Sequence, residues 1–154
     1  MPTSRVPAAV DALLEILRAA PALADVRIVD GPPATNLTEP KQLFIGWQPD
    51  ADAAVALEQD FASAGARTRD ESFEIACYAE TRSGDKDMAL QRGAVFALVA
   101  AVETALRATD AAPTAPTLNG TVLWAQLATG NLRQVQSEGT VVGLAFTITC
   151  RARI

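Results

Sequence analysis

Residues 140–154 read TVVGLAFTITCRARI. Every second position from Val142 is apolar: Val142, Leu144, Phe146, Ile148, Cys150, Ala152 and Ile154. The interleaved set, Val141, Gly143, Ala145, Thr147, Thr149, Arg151 and Arg153, turns polar and then cationic. Successive side chains of a strand point to opposite faces, so this stretch predicts a strand with one dry face. A period of 3.6 would scatter the apolar set around a helix. Thirteen residues, 142–154, extend about 43 Å at about 3.3 Å each, against a usual strand of about 5–6 residues. The alternation runs to the last residue, so the C-terminal end is expected inside the sheet.

Upstream, three shorter runs alternate in the same way. Asp70–Glu80 (DESFEIACYAE) puts Phe73, Ile75, Cys77 and Ala79 on one side, and Lys41–Trp47 (KQLFIGW) does so with Leu43, Ile45 and Trp47. Thr121–Ala128 (TVLWAQLA) is a further strand, turned by Thr129-Gly130-Asn131, and Leu132–Glu138 can extend toward the last strand. Val26–Val29 is a short strand stopped by Asp30-Gly31-Pro32-Pro33. The Pro-rich stretch 31–40 reads as a loop. Ala53–Phe61 (AAVALEQDF) fits strand or helix. The clear strand after it favours a strand, with 64–69 as the hairpin connection.

Two stretches have helical spacing. Val6, Val10, Leu13, Leu14 and Leu17 define an amphipathic helix, with Ser4 as N-cap, Pro7 in the first turn and Pro21 at its end. Lys86–Arg107 carries Met88, Val95, Val99, Val102 and Leu106. It predicts a helix of about 22 residues and about 33 Å, with Asp85 as its cap. Gly93 in mid-helix points to close packing on the sheet. Pro113–Pro116 reads as a linker. Runs of strands separated by two helices define an α+β class: a mostly antiparallel sheet with an N-terminal helix and one long central helix packed on it.

Composition narrows the function. The 154 residues suit one domain, and 49% are apolar but only 5% aromatic, so Ala, Val and Leu must build most of the core. The formal charge of −5 argues against a general nucleic-acid binder. With no histidine, Ser-His-Asp and Cys-His catalysis and most zinc sites are excluded. Cys77 and Cys150 lie in apolar alternating runs and read as core thiols, a disulfide between adjacent strands being the alternative. The N-terminus shows no leader pattern, and no apolar run approaches the about 20 residues of a membrane span. A soluble, cytoplasmic chain is the expectation.

Candidate chemistry is sparse. No phosphate-binding glycine pattern is present. Glu58 with Asp60, and Asp85 with Asp87, are carboxylate pairs that suit acid–base work or a weak metal site. The readings favoured for them are a solvated strand face and a helix first turn. Arg67 and Arg69 fall near the hairpin tip. Arg151 and Arg153 share a strand face, where they can grip phosphate, keep a strand end soluble or sit in an interface. Trp47 and Trp124 suit the core or an interface, the core reading being ahead. No catalytic residue, cofactor or metal ligand set emerges.

The layout resembles a known family, the tail terminator (tail completion) proteins of long-tailed phages with non-contractile tails. The likeness covers nearly the whole chain, 1–154, as one domain. It rests on the order of elements and on the stretches RTRDESFEIACYAETRSGD, DMALQRGAVFALVAAVETALR, TVLWAQLATGNLRQ and VVGLAFTITCRARI, which look like those of actinobacterial phages. The resemblance implies a structural virion protein that closes into a hexameric ring. That ring docks on the tail tube protein, ends its polymerisation and presents the surface that joins the head–tail connector, with DNA passing through its centre. It implies no enzyme activity, no cofactor and no membrane, and a place in the virion tail or neck after assembly in the host cytoplasm. A ring needs a head-to-tail interface that closes. The residues expected there, or at the tube, are Glu58, Asp60, Arg67, Arg69, Arg151 and Arg153. The alternatives are a connector or stopper ring, an enzyme built on Glu58 and Asp60, and a monomeric ligand-binding domain.

Overall fold

The computed structural model describes residues 2–34, 39–61, 63–65 and 67–154. Elements are numbered in chain order, β6 being the last. The C-terminal alternation forms β6 (Thr140–Arg153), and all seven alternate residues from Val142 to Ile154 are buried. Its partner is β4 (Arg69–Ser83), antiparallel from Asp70 opposite Arg153 to Ser83 opposite Thr140. Reciprocal backbone bonds between Arg69 and Ile154, at 3.0 and 2.9 Å, carry the ladder to the last residue. On the far side of β6 lies β5 (Trp124–Gln136), antiparallel. The other edge of β4 is shared by two strands end to end. β2 (Lys41–Ile45) pairs with Cys77–Thr81, and β3 (Val55–Phe61) pairs with Arg69–Ile75. β1 (Arg27–Asp30) runs parallel to β2 at the margin. The order is β1-β2-β4-β6-β5 with β3 on β4. Only the β1–β2 pair is parallel, so the class is α+β with a mostly antiparallel sheet, as the alternation predicts. The ambiguous stretch 53–61 is a strand from Val55 onward.

One face of the sheet is covered by α1 (Val6–Ala19) and α2 (Met88–Ala105). Leu13, Leu14 and Leu17 of α1 and Val95, Leu98, Val99 and Val102 of α2 meet Leu43, Ile45, Phe73, Ile75, Phe146 and Ile148 in one core cluster. Each such side chain contributes about 1.5–3 kcal/mol on burial. Ser4 Oγ accepts from the Val6 N–H at 3.0 Å, although Arg5 occupies the N-cap position itself.

The sequence reading of α2 needs three corrections. The helix is shorter than 86–107, because Asp87 and not Asp85 caps it; the Asp87 carboxylate accepts from the Leu90 N–H at 3.1 Å. Asp85 sits in the turn before, where its carbonyl accepts from Thr140 Oγ1 at 2.8 Å. Arg107 therefore falls past the helix end and pairs with Glu103 at 3.4 Å. Gly93 marks no close approach, since it is exposed and a Cβ there would meet nothing within 4 Å. The outer side of α2 also exposes Leu90 and Phe96. By length and composition it is the one described helix apolar enough to cross a bilayer. Gln91 and Arg92 interrupt the run that would have shown this in the sequence.

Cys77 stands opposite Phe146, and Cys150 opposite Phe73, so the two thiols sit on adjacent strands but four residues out of step. Both are free and buried, and burial pushes each thiol up to about 12. That settles them as inert core residues and removes the disulfide alternative.

On the open face of the sheet, Gly46 (φ +82°) ends β2 and turns Trp47 away from the side of Leu43 and Ile45. Trp47 instead joins Phe44 (ring centres 5.2 Å apart) and Tyr78 (5.7 Å) in an aromatic cluster. Tyr78 lies across Gly143 of β6, where a Cβ would come within 1.7 Å of the phenol oxygen. Gly143→Val is expected to displace the ring and cost about 1–3 kcal/mol in thermal or urea denaturation. Gly84→Ala, with open space around its Cβ, is the control that should leave the midpoint unchanged.

Two connections also differ from the sequence reading. Thr129-Gly130-Asn131 does not turn the chain. β5 passes through, with Ala128 and Thr129 opposing the single Thr147 between the pairs Leu127–Ile148 and Gly130–Phe146. This is a β-bulge, and it breaks the alternation that would have announced one continuous strand. The Pro113–Pro116 linker runs into a 3-10 turn, Ala115–Thr117, whose Ala115 and the following Leu118 are buried.

Candidate assembly surface

The strand register places the charged residues in rows across the open face. Glu58, Ser72, Arg151 and Trp124 form one row; Asp60, Asp70 and Arg153 form the next. Asp70 is the centre. Arg153 Nε lies 2.7 Å from one carboxylate oxygen and Arg151 Nη2 lies 3.5 Å from the other. The Arg153 hydrogen bond holds the Asp70 carboxyl below the usual carboxylate range, with the charges of Arg153 and Arg151 adding to it. The same bond raises the Arg153 guanidinium. The two arginines expected to act together are thus brought together, but across a carboxylate. Glu58 and Asp60 are exposed on that face and Arg67 is exposed at the tip, none of them in an ion pair among the described residues. Ala62 and Ala66 of the hairpin connection lie outside the described residues. Trp124 is 41% exposed, so it is a surface residue and not core.

Arg69 lies on the opposite face of the sheet. It faces the helical side, where Nη1 donates to Gln59 Oε1 at 3.1 Å. Gln59 Nε2 in turn donates to Glu71 Oε2 at 2.6 Å and to the Thr3 carbonyl at 2.8 Å. Glu71 Oε1 accepts from the Arg5 N–H at 2.8 Å. Glu71 is fully buried. Burial works to raise its pKa, but the hydrogen bonds from Ser4, Gln59 and the Arg5 backbone, with the Arg69 charge, outweigh it and leave the carboxyl below its ordinary value. This network ties the β3–β4 arm to the start of α1. Sequence reasoning missed Glu71, although a signal was present: it is in phase with Phe73, Ile75 and Cys77 and hence on the dry face.

Besides the short β1 at the margin, two strands keep a free edge. Among the described residues no backbone group along Val55–Phe61 bonds beyond β4, and none along Trp124–Gln136 bonds beyond β6. Both edges carry large exposed apolar side chains: Leu57 and Phe61 (69% exposed) on β3, Leu132 and Val135 on β5. Lone exposed apolar residues are ordinary, but two free edges that both carry them mark contact surfaces. Among the described residues nothing comparable suggests catalysis. An apolar groove between α1 and α2, lined by Ile16, Ala19, Ala101 and Ala105, has only Glu15 and Arg107 as charged lining residues. Among the described residues no cluster of Cys, Asp or Glu could hold a metal ion.

No family model matches the sequence, and no curated protein matches it. A solved structure does. A chain of the "Virion of native gene transfer agent (GTA) particle" matches over 99% of this chain and 100% of its own length, with a TM-score of 0.60 and 14% identity. The likeness is one of fold, and it covers both helices and the whole sheet.

Proposed function

We propose that this chain is a structural virion protein, a tail-terminator-like domain spanning residues 1–154. Six copies form a ring that caps the tail tube, ends its polymerisation and offers the joining surface to the head–tail connector. DNA passes through the ring without specific binding. The protein needs no cofactor, catalyses no reaction and has no membrane partner. It assembles in the host cytoplasm and resides in the tail or neck of the virion. The observation that carries this reading is the end-to-end fold match to a chain of a virion particle. The two apolar-rich free edges support it, because they suit repeated contacts between copies. Glu58, Asp60, Arg67 and Arg69 on the β3–β4 arm, and Arg151 and Arg153 beside it, belong to the subunit or tube contacts. Exposed ion pairs contribute only about 0–1 kcal/mol each, so apolar and strand-edge contacts hold the ring while charge sets its register.

The test is electron microscopy of the purified protein mixed with tail tube protein. Rings seated on tube ends, with tubes that stop growing, are expected. Rings that ignore tubes but bind a portal-side protein would move the assignment to a connector or stopper.

A further inference from the structure

We propose that β3 of one copy adds to the free edge of β5 in a second copy, with Val55–Phe61 antiparallel to 130–136 and Glu58 opposite Arg133. Three observations lead there. The first is direction. From β3 to β5 the path crosses three antiparallel pairs, β3–β4, β4–β6 and β6–β5, so β5 runs opposite to β3. A copy related by rotation about an axis inclined to the strands, as in a sheared barrel, keeps strand direction and sheet face, and the inclination takes up the step from Trp124, level with Glu58 in its own chain, to Arg133. Its β3 therefore meets β5 antiparallel, helical face beside helical face. The second is length. β3 has seven residues, and the part of β5 beyond the bulge, 130–136, offers seven in unbroken register with β6. Pairing across the bulge itself would lose ladder hydrogen bonds.

The third is chemistry. Val55, Leu57, Gln59 and Phe61 lie on the helical face, opposite Ile75, Phe73, Glu71 and Arg69. Gly130, Leu132 and Gln134 lie on the same face, opposite Phe146, Leu144 and Val142. Full overlap with matched faces leaves one register. It sets Phe61 over Gly130, Leu57 beside Leu132 on the diagonal, and Ala56 opposite Val135. An aromatic ring over a cross-strand glycine covers backbone that otherwise faces water. On the open face Glu58, which makes no ion pair among the described residues, meets Arg133, which in its own chain pairs with an exposed Asp50 at 3.7 Å. Val55–Phe61 and 130–136 then lose their unpaired edge N–H and C=O groups and cover their exposed apolar side chains in one contact. The contact is heterologous, so it closes into a ring or runs on as a filament. The partner's being a second copy rests on the ring reading above; the register rests on the geometry.

The experiment is oxidation by oxidised glutathione of the full chain carrying Ala56→Cys and Val135→Cys. Directly opposed residues have Cα atoms about 4.5–5.5 Å apart, within disulfide reach. Inside one chain β3 and β5 are three strand steps apart, about 14 Å, so every new disulfide joins two chains. Cys77 and Cys150 are buried and stay silent. A ladder of covalent oligomers on non-reducing gels is expected. The pair Ala56→Cys with Asn131→Cys, four residues out of step, should stay unlinked. In sedimentation, Glu58→Arg should weaken association about fivefold, and adding Arg133→Glu should restore it. Absence of cross-links in the matched pair, or equal cross-linking in the offset pair, overturns the register. Tubes capped by a protein that does not cross-link would leave the terminator reading standing without this contact. Cross-linked rings that ignore tubes would do the reverse.

Discussion

Phe146→Ala is expected to destabilise the protein by about 3–5 kcal/mol, a large part of the about 5–15 kcal/mol that holds a domain folded. Phe146 is 1% exposed in the middle of β6. It stands opposite Cys77 on one side and Gly130 on the other. Glycine has no side chain to move into the space left by the ring. The strands on either side are held by the two most extensive ladders in the sheet, so the backbone cannot collapse inward. A cavity therefore persists, and its cost adds to the lost transfer free energy. Urea denaturation should show the midpoint falling with an unchanged slope. Phe96→Ala, on the exposed side of α2, should change stability by no more than about 0.5 kcal/mol. Equal effects from the two substitutions would mean that the dry face of β6 has been assigned to the wrong side.

What the sequence made legible was periodicity. β6 alternates without interruption, so its face, its length and the burial of all seven alternate residues could be read directly. β4 was readable from Phe73 to Ala79 for the same reason, but its continuation to Ser83 was not, because Thr81 and Arg82 do not look like strand interior. Thr81 is nevertheless buried, donating from Oγ1 to the Gln91 carbonyl at 3.0 Å. β5 was misread where the bulge at Ala128 and Thr129 shifts the phase, and a glycine inside a strand looks like a turn. The assembly surface was only half visible. Glu58, Asp60, Arg151 and Arg153 could be named from strand parity. That Asp70 sits between the two arginines depends on the register of β4 against β6, which no local pattern encodes. Arg133 was hidden for the same reason as β5, since its face could not be known until the bulge was counted.

Glu71 is the second position where one side chain should matter greatly, and its effect should depend on pH. Its carboxylate accepts from the Arg5 N–H and from Gln59, with Ser4 contributing, in a place that water does not reach. Hydrogen bonds to a charged group contribute about 1.5–3 kcal/mol. Glu71→Leu removes the acceptor and strands the Arg5 N–H and the Gln59 amide, for an expected loss of about 2–4 kcal/mol near pH 7. Glu71→Gln keeps an oxygen for Arg5 but turns an amide N–H₂ toward Gln59, so it should lose less. The folded carboxyl lies below its ordinary value of 4.5. The stabilisation it brings is therefore fully present above that value and is lost as pH falls through the folded pKa. Asp70, depressed in the same direction by Arg153, titrates in wild type and variant alike, so its contribution cancels in the comparison. Chemical denaturation of wild type and Glu71→Gln at pH 7 and again near pH 3 should show the stability gap narrowing in acid. A gap that stays constant would mean that the buried carboxylate is not held ionised by its donors. The arm would then be fastened to α1 by packing alone, and the edge that β3 presents to a neighbour would owe nothing to Glu71.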